Sequence, residues 1–406
     1  MTINAKASAV LGAEKTVGLY TVGLLCTSLG YVVFHFSRRL IKHERMRKYF
    51  LIVTALGFMS CVICFMISSI STHFIIASLL TLLFFGCIGG FVHYTVSLFL
   101  FRNKYSGRVL GMAIAIATVL QFIIQNLPLI DIVLIISIMI CVIVILYLAV
   151  KPVRDWMFEN PLPYANKPEK TAKDFIIPMS IVAVMSLCFG LGDGLVTRLA
   201  AIGDVSLTSS VRLMYAVGII LAGLIADMSK RRFLPLVTLC SLLLFSSIAF
   251  FIGDGKSIAS SIYIIIMYLF SGFYVMYMTL MFLDVAPMTE QPSLWAGMGR
   301  IIRGPFIAIS AVISLRLQAL IGLQGFAVLG VCLSLTALLL MLFDGQLNIH
   351  KDNFTVKQNG MADFAIKYQL TPREAEILQL LLIKDATNKD FAAELFLSQN
   401  TLSTDY

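Results

Sequence analysis

About eleven runs of predominantly apolar residues, each roughly twenty long, recur along the chain, and they restrict its architecture more than any other feature. They lie near 16–37, 49–70, 73–101, 108–127, 129–150, 174–200, 206–227, 233–252, 258–286, 296–316 and 321–343. A helix needs about twenty residues to cross the hydrocarbon core of a bilayer. Inside that core every backbone N–H and C=O must be satisfied within the protein. Each run therefore predicts a membrane-spanning helix. Composition agrees: 59% of residues are hydrophobic and 13% charged, against about half and about a quarter in soluble domains. The expected fold is all-α, a polytopic helical bundle in the lipid bilayer, with a small soluble segment after residue 343.

The net charge of +9 does not by itself indicate affinity for nucleic acid, because much of it sits in short connections where Lys and Arg set topology. The basic connections are Arg38 to Lys48, Arg102 to Arg108, the stretch 151–173, Lys230 to Arg232 and the region of Arg300 and Arg303. They alternate along the chain with connections poor in Lys and Arg. That alternation predicts a multi-pass protein of the cell membrane with its C-terminus in the cytoplasm. The eight Cys all fall in apolar runs, and Cys61-x-x-Cys64 lies inside a span. Packing is the expected role there, with no metal site. No phosphate-binding loop, H-E-x-x-H helix or G-x-S-x-G elbow occurs, so no catalytic residue, cofactor or enzymatic activity is expected.

An internal repeat organises the spans. Tyr20-x-Val22-Gly23 recurs as Tyr215-x-Val217-Gly218, and each span runs into a basic loop, Ser37-Arg38-Arg39 and Lys230-Arg231-Arg232. Two parallel halves follow, residues 1–150 with about five spans and 174–343 with six, joined by a central loop at 151–173. The count leaves the first half without its opening helix. Gly223-Leu224-Ile225-Ala226-Asp227-Met228-Ser229-Lys230-Arg231-Arg232 resembles the loop motif of major facilitator transporters. That resemblance implies a facilitator-like bundle with Asp227 and Arg231 as gating candidates. Val32 stands in the first half where Asp227 aligns.

Ionisable residues inside spans are costly and mark functional candidates. Asp193 and Arg198, in FGLGDGLVTRL, lie five apart within reach of pairing, and glycines 190, 192 and 194 are expected to loosen the helix between them. Arg212 stands near the same mouth. These three, with Asp227 and Arg231, are the ligand or gating candidates, for a small molecule. Asp284, Arg300 and Arg303 are read as markers of the membrane interface.

The final segment is built differently. Thr371-Pro372-Arg373-Glu374 has the composition of a capped helix start. Ile377, Leu378 and Leu381 follow at helical spacing. Thr387 and Asp390 open a second helix, with Phe391, Ala392 and Leu395 on its inner face. Ser398 caps a third, whose first buried residue is Leu402. Two helices, a tight turn and a third helix compose a helix-turn-helix. From Leu370 to Leu402 the residues resemble the LuxR-type domain of bacterial transcription regulators. Leu370, Thr371, Arg373, Glu374, Glu376, Ile377, Leu378 and Leu381 carry the match, followed by Asn388, Lys389, Ala392, Leu395, Leu397, Ser398, Thr401 and Leu402. Asp385 replaces the family's usual Gly, and Ser403 its common Lys.

The resemblance implies a core of Leu378, Leu381, Ala392, Leu395 and Leu402. It implies DNA contacts from Lys389, Ser398, Gln399, Asn400, Thr401, Ser403 and Thr404, because the reading helix meets base edges with its N-terminal residues. The family's longer reading helix and its fourth, dimer-forming helix are expected beyond Tyr406. On this reading 368–406 is an incomplete domain, and DNA binding as a homodimer belongs to the completed tail. A polar linker, 344–367, joins it to the membrane halves. The leading expectation is a membrane-bound regulator, whose bundle senses a small molecule or the membrane state. A facilitator-type transporter with a vestigial or regulatory tail remains open, as does a defective fragment.

Overall fold

In a computed structural model the described residues are 13–344, apart from 69, 102, 127–129, 151–174, 202–209, 230 and 252–257. The chain divides into two compact units, Met1–Asn348 and Ile349–Tyr406, and the second lies outside the described residues. So do the central loop, the linker and every candidate residue of the helix-turn-helix.

Every regular element among the described residues is a helix. The first half contains α1 (Ala13–Leu40), α2 (Glu44–Ile67), α3 (Ser71–Phe99), α4 (Ser106–Gln125) and α5 (Ile130–Val150). The second contains α6 (Ile176–Ala201), α7 (Leu213–Met228), α8 (Leu234–Ile248), α9 (Ile258–Val285), the short α10 (Pro292–Trp295) and α11 (Met298–Asp344). Nine helices among the described residues are long and apolar enough to cross a membrane. The expected spans 296–316 and 321–343 are two helical stretches within α11, separated by a kink at Gly322. There φ is 69° and ψ 176°, a conformation open to glycine and poorly accessible to residues with a Cβ.

The packing repeats with the sequence. In the first half α1 packs on α3 and α3 on α2; in the second α7 packs on α9 and α9 on α8. The repeated glycines explain why the two halves adopt the same contact. A Cβ at Gly23 would touch Leu82 Cδ1 on α3, and one at Gly218 would collide with the Leu269 carbonyl oxygen on α9. Between the halves, α4 packs on α7 and α1 on α11. Small residues permit such close crossings where no hydrophobic effect draws helices together.

The interior of the second half is an aromatic column. Phe245 lies 4.8 Å from Tyr263 and 5.6 Å from Phe270, and Phe270 lies 5.9 Å from Tyr274, all near-parallel. The outward faces of the helices stay apolar and exposed, as at Val53 (65%) and Leu320 (81%). A lipid-facing surface has this character, and in water it would be an association liability.

Candidate functional site

Two polar assemblies stand out from this apolar fabric. The first closes the basic side of the bundle. Gly107 and Gly223 bring α4 and α7 into backbone contact, since a Cβ at Gly107 would stand 2.7 Å from the Gly223 carbonyl oxygen. The crossing delivers the Asp227 carboxylate to the start of α4. Its Oδ1 accepts from the Gly107 N–H at 2.8 Å and its Oδ2 from the Arg108 N–H at 2.7 Å. The first N–H groups of a helix have no partner within it and carry a partial positive charge, so a carboxylate satisfies both needs at once.

Arg231 then ties three helices together. Its Nη1 donates to Asp227 Oδ1 at 2.7 Å, its Nε donates to Asp284 Oδ2 at 2.8 Å, and its Nη2 donates to the Ser106 hydroxyl. The Arg231 and Asp227 side chains are 5% and 2% exposed. Burial by itself would lower the Arg231 guanidinium's pKa. Asp284 first and Asp227 second more than offset this, leaving it above the ordinary arginine value. The backbone of Arg231 is left-handed, with φ 71°, and its N–H returns to the Ala226 carbonyl at 2.7 Å. That conformation costs a non-glycine residue about 1–3 kcal/mol, and the three side-chain bonds hold it in place.

The structure thus brings Asp227 and Arg231 together. It also supplies partners that the sequence reading missed: Ser106, the α4 N–H groups and Asp284. Asp284, expected only to mark the interface, is a working member of the ion-pair network. The Gly223 motif was the visible signal, while its partners lie 53 to 125 residues away.

The second assembly lies between the halves. Tyr20 of α1 donates its hydroxyl to Asp193 Oδ2 of α6 at 3.2 Å. The expected Asp193–Arg198 pair lies outside the described residues, because the Arg198 side chain does. Arg212 occupies the 3-10 turn Ser210–Arg212 that leads into α7. The glycines of α6 do not loosen it. The helix is continuous through them, and they serve close packing instead. A Cβ at Gly190 would meet the Ile307 carbonyl at 2.9 Å, and one at Gly194 would press on the Ser314 side chain. Ser314 donates to the Leu191 carbonyl at 3.0 Å, and Gln318 donates to Ser314 at 3.0 Å.

Arg303 corrects another expectation. It reaches inward instead of resting at the interface, with its guanidinium carbon 5.5 Å from the centre of the Phe189 ring near the middle of α6. Its Nε is buried and has no hydrogen-bond partner among the described residues. Its charge acts on Tyr20, Tyr31, Asp193 and Tyr274. Arg300, one turn earlier, acts on Tyr31 and His93. His93 Nδ1 lies 2.8 Å from the Gly89 carbonyl and 3.3 Å from the Tyr31 hydroxyl. Tyr274 shares a 2.5 Å hydrogen bond with Ser186. Two arginines, one aspartate, one histidine and three tyrosines therefore converge from α1, α3, α6, α9 and α11. The signal for Arg300 and Arg303 was available: two cations three residues apart on one helix face, next to Gly304-Pro305.

Comparison with known proteins fits both parts of the chain. Residues 368–404 match the sequence model of the bacterial regulatory proteins of the luxR family. The helical unit is similar to the crystal structure of the human organic anion transporter MFSD10 (TETRAN), at a TM-score of 0.53 and 15% identity, over 84% of this chain and 88% of that one. At that identity the likeness establishes the fold alone. No curated protein matches the chain by sequence. The chain thus carries a segment that matches the luxR-family model after a helical domain with membrane-length helices and a fold similar to that of this transporter.

Proposed function

We propose that this protein is a membrane-bound transcriptional regulator. Its facilitator-type domain binds a small molecule or responds to the membrane state, and a cytoplasmic LuxR-type segment binds DNA. The observation that carries the reading is the match at 368–404 on a chain whose helices are membrane-length. The alternation of basic and non-basic connections supports a cytoplasmic tail.

The mechanism is a biased two-state equilibrium. The halves meet along α4–α7 and α1–α11, with the Asp227–Arg231–Asp284 network at one end and the Tyr20–Asp193 bond further along. A ligand between the halves that contacts Asp193, Arg303 and their tyrosines in one arrangement only would shift the population toward it. The shift is limited by its differential affinity for the two states. Arg198 and Arg212 remain candidates for the mouth of that site. Lys389, Ser398, Gln399, Asn400, Thr401, Ser403 and Thr404 are the proposed DNA contacts, read by a homodimer. No enzymatic step is part of this reading.

The test is chromatin precipitation of the full-length tagged protein from its own host, followed by binding of the recovered DNA to protein in nanodiscs. Discrete DNA sites are expected, with affinity falling steeply as salt rises. Recovery of no site above background overturns the reading.

A second reading, transport with a regulatory tail, is favoured by the facilitator-type fold and its inward-facing arginines. Vesicle uptake that Asp193→Ala abolishes would establish it.

A further inference from the structure

The assembly between the halves holds a polar atom that the described residues leave unanswered. The Nε of Arg303 is buried and has no hydrogen-bond partner among them. A buried donor left unpaired costs about 1–3 kcal/mol, and more on a charged group. The packing nevertheless fixes this part of α11 in place. A Cβ at Gly304 would stand 2.8 Å from the Leu24 carbonyl oxygen of α1, and Ser28 of α1 donates to the Arg300 carbonyl at 3.1 Å. The close α1–α11 crossing thus seats Arg300 and Arg303 against the other half. Three residues apart on one helix, they begin about 4.5 Å apart along its axis.

Both arginines act on Tyr31 of α1 and Tyr274 of α9, one residue in each half, so their fields converge on the same space. Tyr20, His93, Asp193, Arg300 and Arg303 are half-buried there, not sealed. The charge balance is one-sided. Among the described residues the assembly sets Arg300 and Arg303 against Asp193, on which Arg303 acts, an excess of one positive charge. Phe189 forms an apolar wall beside the Arg303 guanidinium, backed by Tyr274 at 5.8 Å. The Nε edge of a guanidinium takes both oxygens of a carboxylate. A carboxylate's single charge matches the excess, whereas a phosphate monoester brings about −1.5 to −2.

We propose that the small molecule taken between the halves is an organic monocarboxylate, its anionic group on Arg303 Nε and Arg300 and its apolar body against Phe189. The assignment rests on the proposed occupancy of that space by a ligand. It does not depend on whether the tail binds DNA. Asp193 then sets the charge of the site, holding it to one anionic group.

Thermal unfolding of the full chain in detergent, titrated at constant ionic strength with benzoate, phenyl phosphate, neutral benzamide or cationic benzylamine, tests the proposal. Benzoate should raise Tm at concentrations where benzamide and benzylamine do not. Arg303→Gln should weaken the apparent benzoate affinity about tenfold or more. Arg300→Gln should weaken it too, and carries the comparison if Arg303→Gln does not fold. The exposed Arg45→Gln, at the far basic loop, should leave it unchanged. Protection by benzylamine or benzamide equal to that by benzoate overturns the carboxylate assignment while leaving a ligand site between the halves. Stronger protection by phenyl phosphate also overturns it, in favour of a phosphate ester. Benzoate protection that survives both arginine substitutions places the anion elsewhere and overturns the site. Protection by none of the four probes overturns the assignment together with the ligand site on which it rests.

Discussion

The two halves of the membrane domain share helix packing, yet their basic rims are built in opposite ways. In the second half a buried arginine is neutralised by two carboxylates and locked to the start of α4 across the interface. In the first half a buried arginine faces an aromatic ring, braced by a second arginine bonded to backbone carbonyls. One rim is a closed ion-pair network, and the other seats its buried arginine over an aromatic ring. A duplicated scaffold can therefore assign different work to equivalent places by changing a few side chains, here Val32 opposite Asp227. The Arg231 network bonds α7 and α9 to the start of α4.

Breaking the closed rim should have the largest effect. Arg231→Ala leaves the buried Asp227 and the part-exposed Asp284 without their counter-charge, a loss of about 3–5 kcal/mol. It should appear as a large drop in Tm of the detergent-solubilised chain, and a Tm within a degree or so of the parent would refute the coupling role. Because the guanidinium's folded pKa is raised, its share of the stability is present below the unfolded arginine pKa and is lost only as pH rises through the folded one. The Arg231 contribution should therefore be flat from about pH 6 to 9, which a Tm series over that range checks.

Next in size is Gly223→Val, whose side chain must enter the backbone contact between α4 and α7. Overpacking there should cost about 1–3 kcal/mol or more, read as lowered yield of monodisperse protein. Unchanged elution would show that the crossing can spread without penalty.

In the first-half rim, Arg38→Gln removes a cation–π contact worth about 2 kcal/mol when desolvated. A Tm loss equal to that of Arg231→Ala would erase the contrast between the rims. Tyr20→Phe removes the hydroxyl bonded to Asp193 and should cost about 1–3 kcal/mol, tested by unfolding of the variant beside an Asp193→Asn, Tyr20→Phe double substitution. The smallest effect is expected from Arg108→Ala. Its Nε lies 3.8 Å from Asp227 and its side chain is 43% exposed, so solvent screening limits the loss to about 0.5 kcal/mol or less. The backbone N–H of residue 108, which makes the shorter bond, survives the change.

Legibility differed between these features for physical reasons. The helices were readable because the bilayer imposes a length and a composition on each one. The run expected at 73–101 is the helix Ser71–Phe99, and that at 206–227 is Ser210–Met228. The Asp227–Arg231 pair was readable because both residues lie on one short motif. Asp284 and Arg303 were misread because hydropathy records how many charges a segment holds, while burial depends on which way each points. The glycines of α6 were misread for a related reason: a glycine that loosens a helix and one that admits a neighbour look alike in one dimension.

The sequence by itself determined a succession of helices long and apolar enough to cross a membrane. It also determined that a LuxR-type segment follows at 368–404. Apolar run length, repeat spacing and capping chemistry are local properties, written in consecutive residues. Only the tertiary structure decided that Asp227 meets the N–H groups of Gly107 and Arg108, that Tyr20 meets Asp193, and that Arg303 turns inward. Those contacts join residues up to 173 positions apart. They exist because glycines let particular helices approach closely enough for a buried charge to find its partner.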